Sequence, residues 1–194
     1  MIISPSEHSV LFDHFPTSGY CQDVEEIRHR AIERYGEQEW RAITLTAEMH
    51  GHLGIFSVLG VKMGLAALEH FTSKEEPLCL LSYAGTTPPM SCMNDGLQVA
   101  TGATLGHGRI QISKEGPARV MALFQRGEKA LRLRLKSAYD ILLSSSLEEM
   151  IKQHGRRTPA YWCEMRKMAL RWWLEWDRDQ IFSTEYLEPK KDFE

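Results

Sequence analysis

The sequence predicts an α+β protein in which N-terminal helices and a long buried helix pack on a mainly antiparallel sheet, followed by a C-terminal helical extension. Three observations predict it. Residues 55–71 (IFSVLGVKMGLAALEHF) are apolar on nearly every side and too long for a strand, so they form a helix central to the domain. RIQIS, ARVMALF and KALRLRLK alternate with the period of two of half-buried strands. From Ala138 onward the apolar residues return to helical spacing. The expected division is an α+β core over residues 1–137 and a helical extension over 138–194.

Each element has its own warrant. After turn signals at SP and FPTSG, residues 23–35 place Val24, Ile27, Ala31 and Tyr35 on one helical face, and a second helical stretch runs from Gln38 through Ala47. Within the buried helix, Gly60 and Gly64 fall on one face and let another element approach closely. LCLLSYA at 78–84 reads as a buried strand and TTPPMSCMNDG as a loop. Asn94 or Asp95 is placed to cap a helix that ends at Gly102. An antiparallel meander follows, with a hairpin break at Gly127 and Glu128. Two helices close the chain: AYDILLSSSLEEMIKQHG, stopped by Gly155, and TPAYWCEMRKMALRWWLEWDRDQIF, where Thr158 and Pro159 make an N-cap followed by proline at the first position. The tryptophans of the last helix are expected to pack on the domain or on a second subunit.

Composition narrows the function classes. With 194 residues, 43% hydrophobic and 25% charged, the chain can bury a core without a structural metal. No run approaches a membrane span, and the start lacks a secretory pattern, so no membrane role and a cytoplasmic location are expected. Cys21, Cys79, Cys92 and Cys163 are scattered without a CxxC pair and read as reduced thiols. Net charge is −3, yet residues 119–175 hold 12 Lys and Arg against 6 Asp and Glu, which reads as solvated basic faces. No nucleic-acid motif accompanies them.

The chemistry centres on EMHGHLG at 48–54. In extended backbone, residues two apart point the same way, so His50 and His52 can converge on one ion; on a regular helix they diverge by about 200°. Otherwise one packs or caps and the other faces solvent. A third ligand has to come from elsewhere, and Cys92 is the best candidate because thiolate and imidazole together suit zinc. Asp95 can ligate or can cap a helix. TGATLGHG at 101–108 matches neither phosphate-loop pattern, and its glycines suit a tight turn, with His107 exposed or a reserve ligand. Signatures of serine hydrolases, zincins and glycosidases are absent.

Taken together, HGHLGIFSVLGVKMGLAAL at 50–68 and CMNDGLQVATGATLGHGRI at 92–110 resemble the two signature segments of the FmdE/FwdE-like family of formylmethanofuran dehydrogenase proteins, HGHxCPG and CxxDxxQxxTGxTxGxG. The resemblance covers roughly residues 20 to 136. It implies an α+β homodimer, an accessory in one-carbon or redox metabolism that can join an oxidoreductase complex. It also implies a cleft holding a divalent metal ion, often zinc, through His50, His52 and Cys92. Asp95, Gln98, Thr104 and His107 are expected to line that cleft, which takes a small-molecule ligand of unknown identity. Two departures stand out. Gly54 occupies the position of the family's second thiolate, and His107 replaces a lysine common in the GxG turn. A metal-free dimeric ligand-binding or docking module, or a metal-assisted hydrolase, are the alternatives.

Overall fold

The computed structural model describes residues 22–72 and 75–189. The turn signals at the N-terminus and Cys21 lie outside the described residues. Residues Gln22–His50, labelled together α1, form two helical segments that meet at Gly36, whose φ of 83° and ψ of 164° leave the helical region. The two predicted stretches lie on either side of that break. Val24, Ile27, Ala31 and Tyr35 are all buried, as their spacing implies.

Helix α2 (Ile55–Glu69) is buried at every position from Ile55 to Ala67, Lys62 included. It packs against α1, α3 (Met93–Thr101) and α5 (Pro159–Glu175). Close approach to α3 depends on glycine. A Cβ at Gly60 would stand 2.1 Å from the Met93 carbonyl oxygen, and one at Gly96, facing it, 2.2 Å from that of Ser57. The role of Gly60 and Gly64 was legible as spacing, whereas their partner Gly96 was not.

The five-stranded sheet has the order β2-β1-β3-β4-β5. Its strands are β1 (Cys79–Ser82), β2 (Ile110–Ile112), β3 (Met121–Arg126), β4 (Lys129–Leu135) and β5 (Phe182–Leu187). It is mainly antiparallel, and β3 and β4 form the expected hairpin at Gly127 and Glu128. The meander needs correcting at one end: β2 pairs with β1, in parallel, rather than with β3. The reason is the crossover through α3, since a parallel return needs an intervening element.

Two further readings change. Asn94 and Asp95 do not cap α3: its N-cap is Cys92, which makes no side-chain cap bond, and Asn94 instead donates to the Gly85 carbonyl at 2.9 Å. The last helix stops at Glu175; Trp176 turns extended, a short helix α6 (Arg178–Ile181) follows, and FSTEYL becomes edge strand β5 along β4. Helix α4 (Ser137–His154) ends before Gly155, and Thr158 caps α5 by accepting from the Tyr161 N–H at 3.1 Å, both as predicted. Trp172, Trp173 and Trp176 pack within this chain's own core, with Trp173 stacked on Trp40 at 5.2 Å.

Candidate functional site

His50 is the last residue of α1, and Gly51 after it takes a φ of 82°, where a Cβ is penalised. That left-handed residue breaks the helical 200° divergence and folds His52 back toward His50. The ring centroids stand 4.3 Å apart at 43°. Gly54 then opens α2, held by Ser57, whose hydroxyl donates to the Gly54 carbonyl at 2.8 Å. The spacing permitted convergence of the two imidazoles, and the chain realises it.

The second segment arrives from α3. Asp95, in the first turn of that helix, accepts from His50: Oδ2 lies 2.8 Å from Nδ1. The other ring nitrogen, Nε2, is buried with no hydrogen-bond partner among the described residues. Asp95 first, and the Cys92 thiol second, raise the His50 pKa from 6.5 to about 9 against the desolvation that lowers it. Cys92 is buried and is the N-cap residue of α3.

The predicted site residues are therefore gathered only in part. His50, His52, Cys92 and Asp95 form one cluster, although among the described residues no three His, Cys, Asp or Glu side chains stand at metal-holding distance. The remaining three organise the loop at the far end of α3. Gln98 Oε1 accepts from the Leu105 N–H at 2.9 Å, and Thr104 Oγ1 from the His107 N–H at 3.2 Å. His107 is exposed, its Nδ1 3.4 Å from the Gly102 carbonyl oxygen.

One wall was missed entirely. Trp162 of α5 meets His52 edge-on at 5.4 Å, with Tyr161 beside it at 5.1 Å. The residues lie more than 100 positions from His52, and no local pattern connects them. Gly54, where the family places a cysteine, faces the same cluster: a Cβ there would stand 3.4 Å from His52 Nε2.

Comparison with known proteins agrees with the two motifs. Residues 49–183 match the family model described as "FmdE, Molybdenum formylmethanofuran dehydrogenase operon", a span that runs on through α5, beyond the limit near residue 136 set by the motifs. A curated relative from Archaeoglobus fulgidus, named "Probable S-adenosyl-L-methionine-binding protein", is 33% identical over 72 residues. The match covers 36% of this chain and 20% of that protein, so the chain spans about a fifth of its relative's length. The crystal structure of a "tungsten formylmethanofuran dehydrogenase subunit e (fmde)-like protein" from Syntrophus aciditrophicus aligns with a TM-score of 0.47 and 13% identity, covering 92% of this chain and 78% of that one.

Proposed function

The chain belongs to the FmdE family, and from that premise we propose that it is an accessory protein whose His50, His52 and Cys92 bind a divalent metal ion, zinc by the softness of the donors. One observation carries the reading. Asp95 engages Nδ1 of His50 and leaves Nε2 buried without a hydrogen-bond partner among the described residues. That is the arrangement by which a carboxylate orients a metal-ligating histidine and sets its tautomer. The donor set fits the ion in kind, two imidazoles and a thiol, and binding requires the three side chains to close up around it.

In that role Asp95 holds the His50 proton on Nδ1, and Cys92 at the α3 N-terminus offers its sulfur. Trp162 and Tyr161 shield the His52 side of the cluster from water. A bound ion would supply Lewis acidity and lower the pKa of a coordinated water. The homodimer, the attachment to an oxidoreductase complex and the place in one-carbon metabolism complete the proposal and rest on the family alone. Binding of S-adenosylmethionine is not carried over from a relative matched over a fifth of its length.

A metal-free ligand-binding module is the second reading. The observation favouring it is that no three donors already stand at coordination spacing among the described residues. Elemental analysis of untagged full-length protein after zinc reconstitution and dialysis separates the two. About one zinc per chain in the wild type, lost in His52→Ala and Cys92→Ser, supports the metal site. Equal zinc in all three proteins, or none in any, leaves the metal-free module.

A further inference from the structure

Away from that cluster, the first half of α1 and the second half of α5 flank an open groove of about 510 Å³, within the size range of small-molecule sites. The groove is pinned at both ends. Arg166 donates to both carboxylate oxygens of Asp23, at 2.6 and 2.7 Å, and the Tyr35 hydroxyl donates to the Leu174 carbonyl at 2.8 Å. Twelve residues of helix separate the two pins on α1, about 18 Å at 1.5 Å per residue. A cleft held open by two such clamps pays little ordering entropy when it is filled.

Its lining is divided by chemistry. Ile27, Leu170 and Leu174 make an apolar floor, while Arg30, Arg34 and Arg171 stand around it with Glu175 as the acidic member. Among the described residues, none of these three arginines forms an ion pair. Arg34 lies over the Tyr35 ring with its guanidinium carbon 5.3 Å from the centroid, and Arg171 over Trp172 at 5.6 Å. Stacking of this kind orients a guanidinium while leaving its N–H edge free for a bidentate contact with a carboxylate or phosphate. Solvated arginines on helices are common, but here three converge on one apolar floor and two of them are pre-oriented.

We propose that the α1–α5 groove is a binding site for a soluble anionic amphiphile, an alkyl phosphate or carboxylate whose apolar body lies on Ile27, Leu170 and Leu174 and whose anionic head is held by Arg30, Arg34 and Arg171. The rim charges favour an anion over a neutral or cationic ligand, and Glu175 disfavours a head with more than two charges. A concave apolar floor rimmed by arginines between clamped helices suits a single amphiphilic molecule better than a flat membrane surface.

Isothermal titration calorimetry of the full chain with octyl phosphate below its micellar concentration tests this. The controls are inorganic phosphate and neutral octyl glucoside. The expected result is saturable 1:1 binding of octyl phosphate, at least tenfold tighter than either control and weakened at least tenfold in Arg34→Gln/Arg171→Gln. Should that pair of changes disturb folding, the single Arg30→Gln carries the same test, with a loss of about threefold. No saturable binding by the wild type, unchanged affinity in the variants, or equal binding of inorganic phosphate overturns the site. Co-sedimentation with phosphatidylglycerol vesicles in the absence of octyl phosphate binding would reassign the groove to a membrane surface and overturn it as well.

Discussion

The Asp95 carboxylate lies 2.8 Å from His50 Nδ1, joining residues 45 positions apart. The bond crosses from the end of one helix to the first turn of another. It fixes which imidazole nitrogen carries the proton and so which one is left to ligate. Asp95→Asn keeps the shape but removes the charge, and the zinc affinity measured by chelator competition should fall about 10- to 100-fold. An unchanged affinity would make the contact structural only.

The same pair makes the metal-free protein sensitive to pH. An unperturbed histidine titrates near 6.5, and His50 is raised to about 9, first by Asp95. The folded state therefore holds this proton more tightly than the unfolded chain. The stability it contributes is fully present below pH 6.5 and is lost as the pH rises through about 9. Its upper bound is about 3.5 kcal/mol, at about 1.4 kcal/mol per pKa unit, and solvent screening lowers it. Urea melts of wild type and His50→Gln at about pH 6 and about pH 9.5 should show a gap between them that closes at the higher pH. Buried Lys62, lowered from 10.5 to about 8 by desolvation, drives stability the other way across that interval. The comparison cancels that effect, because both proteins carry Lys62.

Restoring the family thiol is a gain-of-function test. Gly54 has a φ of −129°, which any residue tolerates, and a Cβ there meets His52 Nε2 at an ordinary 3.4 Å. Gly54→Cys should fold and raise zinc affinity at least tenfold over wild type. A variant that folds but binds no better would place the fourth position away from the metal.

At the α2–α3 contact no such tolerance exists. The atoms that a Cβ at Gly60 or Gly96 would strike are backbone carbonyls, which cannot rotate away. Gly60→Ala and Gly96→Ala should each lower the unfolding free energy by about 3 kcal/mol, the upper end of overpacking costs. Because the helices must separate to relieve the clash, both should also loosen the link between His50 and Asp95, visible as a lower histidine pKa by NMR.

Glu39 is the junction of another buried network. Its oxygens accept from Lys62 at 2.7 Å and from Arg178 at 2.9 Å, and neither Glu39 nor Lys62 has exposed surface. Glu39→Ala leaves two cations uncompensated and should cost about 3–5 kcal/mol. Lys62→Met keeps the Arg178 pair and should cost clearly less. Equal losses in chemical denaturation would show that the network acts as packing alone.

The sequence by itself determined what local periodicity and spacing can encode: the buried helix and its small-residue face, the β3–β4 hairpin, the Thr158 cap with Pro159, and two linked motifs that mark a family. Those features depend on residues within a few positions of one another, where the backbone geometry is set by side-chain type. The tertiary structure decided the rest. β2 lies parallel to β1 because α3 carries the chain across. Asp95 serves a histidine rather than a helix cap because the end of α1 lies beside the first turn of α3. Trp162 walls the His52 cluster and β5 closes the sheet edge, both from a segment whose pattern is helical or unremarkable. In each case the deciding contact spans tens of residues, and its free energy comes from burial and hydrogen bonding that exist only once the chain has closed on itself.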